Sequence, residues 1–398
     1  MPAESESPEK KGTVNKMSNA SKNIVKLLHV SDIHLDSPYL DLPPEKSEER
    51  RRELRAAFIR MMQYVRDRGV NIVLICGDLF DIDYATNNTA EIIIREIKNS
   101  PDTKFVIAPG SSDRYTDNPI YTSGRMPSNV YIFSDDSLGR FDFDEYNVTV
   151  YGWAFLGKTH GGHVLGSRRA DDNTRVNIVA GYCDLDGAED SGRCPISPAE
   201  IQNFGADYYA FGSRHSASEF VRVGDSIYSY CGALESCSFS DPGMGGANLV
   251  AVEYADEELS VDVKRLSFGH LKHVTEVIDI TGVSAVNEVV SRISRMISEK
   301  GYGIDTALRV DVVGNIIPSF ILPKTFDCES FGLYHFELRD KTLPLYGTDS
   351  LKKDMTVKGE LYRHLLPAIL GKDEETRLIA AKALRIGLAA LENREINI

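Results

Sequence analysis

Two polar stretches close apolar runs early in the chain, and both have residue types that hold metal ions. The first is Ser31-Asp32-Ile33-His34-Leu35-Asp36. Residues two apart on an extended segment point the same way, so the Asp32 carboxylate and the His34 imidazole leave the backbone on one side. Such a pair suits a divalent transition metal, although a hydrogen-bonded Asp–His pair would leave the same trace. The second stretch is Gly77-Asp78-Leu79-Phe80-Asp81. Glycine permits a close backbone approach before Asp78, and a carboxylate there can bridge two cations. Asp81 is expected to cap the turn that follows.

The elements that must position these groups form a clear pattern. Runs at Ile24 to Val30, Val70 to Cys76 and Lys104 to Ala108 are short and rich in β-branched residues. Helical spacing at about 48–68 and 86–98 separates them. Alternating strand and helix implies a doubly wound parallel sheet, whose ligand-binding loops follow the carboxyl ends of the strands. Loops 31–37, 77–81 and 109–115 then lie side by side. Further strands are expected at 148–154, 176–180 and 207–211. A meander through 219–223, 226–230, 248–253 and 259–265 suggests a second, more antiparallel sheet. The expected organisation is a solvated, disordered tail over 1–23, a main domain over 24–266, a small α/β capping module over 267–345 and a helical segment over 346–398. In the last, Leu378, Ala381, Leu384, Leu388 and Leu391 make a helical stripe.

Composition narrows the function classes. Of 398 residues, 42% are hydrophobic, and the formal net charge is -14. A chain this acidic does not attract nucleic acid by its overall field, so contact with DNA would need a local patch, a metal or a partner. Arg50, Arg51, Arg52 and Arg55 are a candidate patch, but the wet face of a helix is the simpler expectation. No apolar run is long enough to span a bilayer, and the N-terminus has no signal-like apolar segment. The six cysteines form no C-x-x-C pair, and Cys76 reads as a buried small hydrophobe. These features suggest a reducing cytoplasm.

The D-x-H and G-D-L-F-D stretches, about 44 residues apart and each after a buried strand, resemble the calcineurin-like metallophosphoesterases. The SbcD/YhaO-like DNA-repair exonucleases are the subfamily resembled, also through "VYGWAF", "KGYGIDTALRV" and "RLIAAKALRIGLAALENREI". The resemblance implies a four-layer αββα sandwich and a two-metal centre. Three later motifs depart from it. Where the family has G-N-H-D, this chain has Gly110-Ser111-Ser112-Asp113, so the asparagine ligand becomes Ser111 and the catalytic histidine Ser112. Tyr182 stands at a histidine ligand position. In the G-H-x-H motif the first histidine is Ser213, and the second survives as His215.

By that resemblance, one cation position keeps Asp32, His34, Asp78 and His215. The other retains only the shared Asp78, having Ser111, Tyr182 and Ser213 for its remaining ligands. One divalent metal is therefore expected, manganese first, with iron or zinc as alternatives, and no second. Serine is a weak ligand for such ions, and a phenol is rarely ionised near neutrality. Losing a histidine proton donor typically removes about 10²–10⁴-fold in rate. Cys183, Asp184, His160 and His163 are remote candidates for refilling the second position. Two functions follow: an impaired metal-dependent phosphodiesterase or exonuclease acting on DNA, or an inactive regulatory subunit that binds one metal. The resemblance implies an SMC-like coiled-coil ATPase as the subunit's partner, docked on the helical end, and homodimerisation.

Overall fold

The computed structural model describes residues 24–39, 44–172, 174–185, 192–255, 258–316, 320, 322, 331–344 and 348–391. The expected tail over 1–23, Cys328 and residues 392–398 lie outside them.

Strand β1 (Ile24–Val30) leads through helix α1 (Pro44–Arg68) to β2 (Ile72–Cys76), and through α2 (Asn87–Lys98) to β3 (Lys104–Ala108). These strands pair in parallel, β1 on β2 and β2 on β3. Side chains alternate across each strand, so neighbouring residues serve different layers. Leu28, Val73 and Phe105 pack under Leu54, Phe58 and Met61 of α1 and Ile93 and Ile97 of α2. Leu27, Leu74 and Val106 face the other way, onto Val150, Ile178 and Ala210 of a second sheet. The outer face of that sheet packs Val179, Tyr209 and Phe211 against Ile201 and Phe204 of the helix Pro198–Phe204. Helix, sheet, sheet and helix make four layers.

The division of strands between the sheets differs from the sequence reading. The first sheet has eight strands, in the order His335–Asp340, Thr306–Val313, Glu258–Asp279, Gly243–Ala255, β1, β2, β3 and Val130–Ile132. The expected meander is split. Val221–Val223 and Ser226–Tyr230 lie in the six-stranded second sheet, while Gly243–Ala255 pairs antiparallel with β1 in the first. Within the second sheet Val148–Gly152, Val176–Tyr182, Tyr208–Gly212 and Ser226–Tyr230 run parallel, and only its edge pairs are antiparallel. Strand Glu258–Asp279 is 22 residues long and crosses position 267 unbroken. It pairs first with Gly243–Ala255 and then, from Lys272 onward, in parallel with Thr306–Val313. Both strands and the helix Val286–Lys300 enclose a further core around Ile293, Leu308 and Val310. In the C-terminal stripe, Ala381, Leu384 and Leu388 are buried, whereas Leu391 is exposed.

The arginine cluster meets the expectation of a wet helix face only in part. Arg50 is only 2% exposed and donates to the Ser236 carbonyl at 2.7 Å, with Glu53 and Glu235 as ionic partners. Arg55 holds Asp36, and Arg51 holds Glu48. Arg50 and Arg55 tie α1 to its surroundings, Arg50 being buried and a buried guanidinium needing a partner to remain charged, whereas Arg51 pairs along the helix and Arg52 is exposed.

The two sheets pinch together where their strands end. A Cβ at Gly212 would lie 1.7 Å from the Cys76 carbonyl oxygen. No larger residue fits there, and the contact brings the loop after Gly212 against those after β1 and β2.

Candidate metal centre

Main-chain bonds first set the loops in register. The Asp32 amide donates to the Gly77 carbonyl at 3.0 Å, and the His34 amide to the Asp78 carbonyl at 2.8 Å. Asp113 locks the next pair of loops. Its buried carboxylate accepts from the amides of Asp78, Leu79 and Gly110 at 2.7–3.0 Å and from the Tyr121 hydroxyl at 2.6 Å. Asp32, His34, Asp78 and Ser213 all have positive φ, at 48°, 50°, 54° and 99°. None is glycine, so each is held in a sparsely populated region by its surroundings, a form of strain that gathers at functional sites.

Three side chains converge on one point. Ligand atoms of Asp32, His34 and His215 all lie within 4.8 Å of one another. The Nε2 atoms of His34 and His215 are 3.2 Å apart, and His215 Nε2 is 3.9 Å from Asp32 Oδ1. Asp78 is outside this 4.8 Å set but adjacent, its Oδ2 3.6 Å from His34 Nε2. Its Oδ1 accepts from the Ser112 amide at 2.7 Å. Asp32 is 1% exposed; its Oδ2 accepts from the Ser31 hydroxyl at 2.5 Å and the Ser213 amide at 3.2 Å. Its Oδ1 has no hydrogen-bond partner among the described residues.

The imidazoles are aimed from behind. His34 Nδ1 lies 2.6 Å from Asp81 Oδ1, so its other nitrogen is the one turned to the centre. Asp81 is therefore an orienting carboxylate, and the capping role expected from sequence gives way to this short bond. His215 Nδ1 has Asp241 Oδ2 at 3.5 Å. Burial works to lower the pKa of His34, but the Asp81 bond and the charges of Asp78, Asp81 and Asp32 prevail and raise it to about 10. His215 is raised by its bond to Asp241, against burial. Burial raises Asp32, with the charge of His215 opposing it. The residues fit a divalent cation: two imidazoles with oriented nitrogens converge beside a buried carboxylate oxygen that lacks a partner.

The adjoining position has a different content. Tyr182 is buried, and its ring covers Gly77 and Gly110; a Cβ on either would lie 2.2 Å or 2.8 Å from Tyr182 Cδ2. The ring packs edge-on to Phe155 at 5.1 Å, and its hydroxyl accepts from Ser111 Oγ at 3.2 Å. Burial, then the charges of Asp78 and Asp32, push the Tyr182 pKa far up, so the phenol stays protonated. The Ser213 hydroxyl is buried without a partner among the described residues. The candidates for refilling this position are engaged elsewhere. His160 meets the Asp136 carbonyl at 2.8 Å and His163 meets Glu200 at 3.0 Å. Asp184 pairs with Arg214, and Cys183 is fully buried.

The family profile for calcineurin-like phosphoesterases matches residues 25–216, which hold both sets of residues. The chain carries a calcineurin-like metallophosphoesterase domain. The uncharacterized metallophosphoesterase YhaO of Bacillus subtilis (strain 168) is 24% identical over 241 residues, 58% of this chain and 58% of that protein. The DNA double-strand break repair protein Mre11 of Methanopyrus kandleri is 23% identical over 230 residues, 54% of this chain and 50% of that protein. The chain thus spans only about half to three-fifths of these relatives' lengths. Among solved structures, TT1561 of Thermus thermophilus aligns with a TM-score of 0.34 at 11% identity, over 60% of this chain and 98% of that one.

Sequence reasoning gave Asp81 a capping role in place of its orienting one and gave Asp113 and Asp241 no role. Asp81 and Asp113 had a signal, each being the last residue of a motif already singled out. Asp241 had none, because it reaches His215 across a loop. No helix among the described residues is long and apolar enough to cross a membrane.

Proposed function

We propose that this chain binds one divalent cation, manganese by preference, through Asp32, His34 and His215 with Asp78 beside them, and that its phosphoester hydrolysis is severely impaired. The observation that supports this is the asymmetry of the centre. One position converges on an unpartnered carboxylate oxygen, while the other is filled by the Tyr182 ring. A bound cation would supply Lewis acidity toward a phosphoryl oxygen. The residues of the chain supply little else. Ser112 cannot act as an acid near neutrality, and its amide is spent on Asp78. Tyr182 keeps its proton, with its hydroxyl beside Ser111 and near the charges of Asp78 and Asp32. A relative named for DNA double-strand break repair favours phosphodiesters as the ligand class.

The test is manganese-dependent cleavage of single- and double-stranded DNA and of a chromogenic phosphodiester, alongside metal content. One metal per chain with turnover near background is expected. Robust turnover would sink the reading.

A second reading, a regulatory subunit, is favoured by the helical end, where Met355, Val357, Leu370 and Ile379 are all exposed apolar side chains. It expects a purified SMC-like coiled coil to bind the full chain and to lose that binding when these four residues are made polar. Undiminished binding would count against it.

A further inference from the structure

A pocket of about 380 Å³ opens beside the metal centre, on the side of the position that Tyr182 fills. Ser111 and Ser112 line it with Asp81 and Ile82, and Asp83, Tyr84, Arg114 and Lys158 complete the wall. Two cations share one carboxylate there. Arg114 Nη2 is 3.6 Å from Asp83 Oδ1, and Lys158 Nζ is 3.6 Å from Asp83 Oδ2. Both separations exceed hydrogen-bond length, and Asp83 and Lys158 are largely exposed, so these ion pairs are weak. Asp81, also on this wall, is turned to His34 at 2.6 Å, which leaves two cations against Asp83 with donors free to turn inward. Ser111 and Ser112 join this wall directly to the centre, since the Ser112 amide binds Asp78. Tyr84 adds an aromatic ring that is 48% exposed at the edge of the same pocket.

We infer that this pocket is a nucleotide-phosphate subsite. The phosphate sits between Arg114 and Lys158, displacing Asp83 from both, and the base stacks on Tyr84. Guanidinium and ammonium groups are the usual partners of phosphate oxygens, and an exposed ring beside them is what a base needs for stacking. On a chain of net charge -14 such contact must be local. The two side chains also place positive charge next to the position that has lost its cation ligands. That link to a reaction rests on the one-cation reading; the binding itself does not.

The test uses the full chain at fixed ionic strength, with one equivalent of manganese and again without metal. Calorimetric titration with inorganic phosphate and with thymidine 5′-monophosphate supplies the probes. The Arg114→Gln/Lys158→Gln double variant should weaken both probes by at least about tenfold, with metal content unchanged. Asp83→Asn should tighten both, since it removes the competing carboxylate. Tyr84→Ala should weaken the nucleotide and leave inorganic phosphate alone. Wild-type affinity for both probes in the double variant would overturn the subsite. Equal effects of Tyr84→Ala on the two probes would overturn its assignment to nucleotides. Asp32→Ala separates the two claims. It should abolish metal binding and keep the metal-free affinity for phosphate; loss of that affinity would mean the anion binds at the centre and not in the pocket.

Discussion

The two halves of the centre are built from the same loops, yet one is a cluster of aimed ligands and the other is packed like a core. On one side, Asp32, His34 and His215 converge with their outer atoms tied to Ser31, Asp81 and Asp241. On the other, Tyr182 lies over two glycines and against Phe155. Polar ligands leave a gap that an ion can enter, whereas an aromatic ring closes it and gains burial instead. On the one-cation reading, the difference teaches that the second position is filled as well as stripped. Replacing its serines alone would leave the ring in the way.

The largest expected effect comes from undoing that filling. The set Ser111→Asn, Ser112→His, Tyr182→His and Ser213→His should raise metal content from one to two per chain. It should also increase phosphodiester turnover by at least about 10²-fold, the usual scale for a restored proton donor. The same set with Tyr182 retained should stay at one metal. If that version reaches two, the ring is not the obstacle.

Next in size is the orienting carboxylate. Asp81→Asn should weaken manganese binding by about 10–100-fold, the range for groups behind a metal ligand, while Asp83→Asn should leave it unchanged. Equal effects would mean that general charge, and not the aim of His34, sets affinity.

A third comparison concerns two histidines on the same segment. Burial lowers the pKa of His29 to about 3, although its bond to the Phe211 carbonyl opposes the shift, while carboxylates raise that of His34 to about 10. His29 is thus neutral when folded and binds a proton below pH 6.5 when unfolded. The unfolded state then holds more protons, so stability falls as pH drops from 6.5 toward 3. Between pH 6.5 and 4.5 the loss is roughly 2–3 kcal/mol. Urea titrations should show it, and His29→Gln should flatten this part of the profile. An unchanged slope would mean other groups carry it.

The smallest effect is expected for Tyr182→Phe. It removes one bond to Ser111, costing about 0.5–1.5 kcal/mol, and should leave metal content at one. Gain of a second metal would show that the hydroxyl, not the ring, blocks the position.

Much of this was legible in the sequence because it rests on local signals. Strands β1, β2 and β3 announced themselves by short β-branched runs, and Asp32, His34 and Asp78 by their place at the strand ends. Sheet membership was not legible. Residues 248–253 and 226–230 have similar patterns, and only pairing partners far along the chain send them to different sheets. Arg50 was misread for a related reason: α1 offers no local hint that Glu235, almost two hundred residues on, will meet that face. The content of the second position was half legible. Ser111, Tyr182 and Ser213 marked departures from the resembled motifs, but that the Tyr182 ring covers Gly77 and Gly110 beside Phe155 depends on how distant segments come together.

The central claim is that the centre holds one cation, and anomalous scattering from crystals grown with excess manganese tests it most directly. The account predicts a single peak bonded to His34 Nε2, His215 Nε2 and Asp32 Oδ1, with the Tyr182 ring in place. A second peak between Asp78 and Ser111 with that ring displaced, or no peak at the histidines, would contradict it.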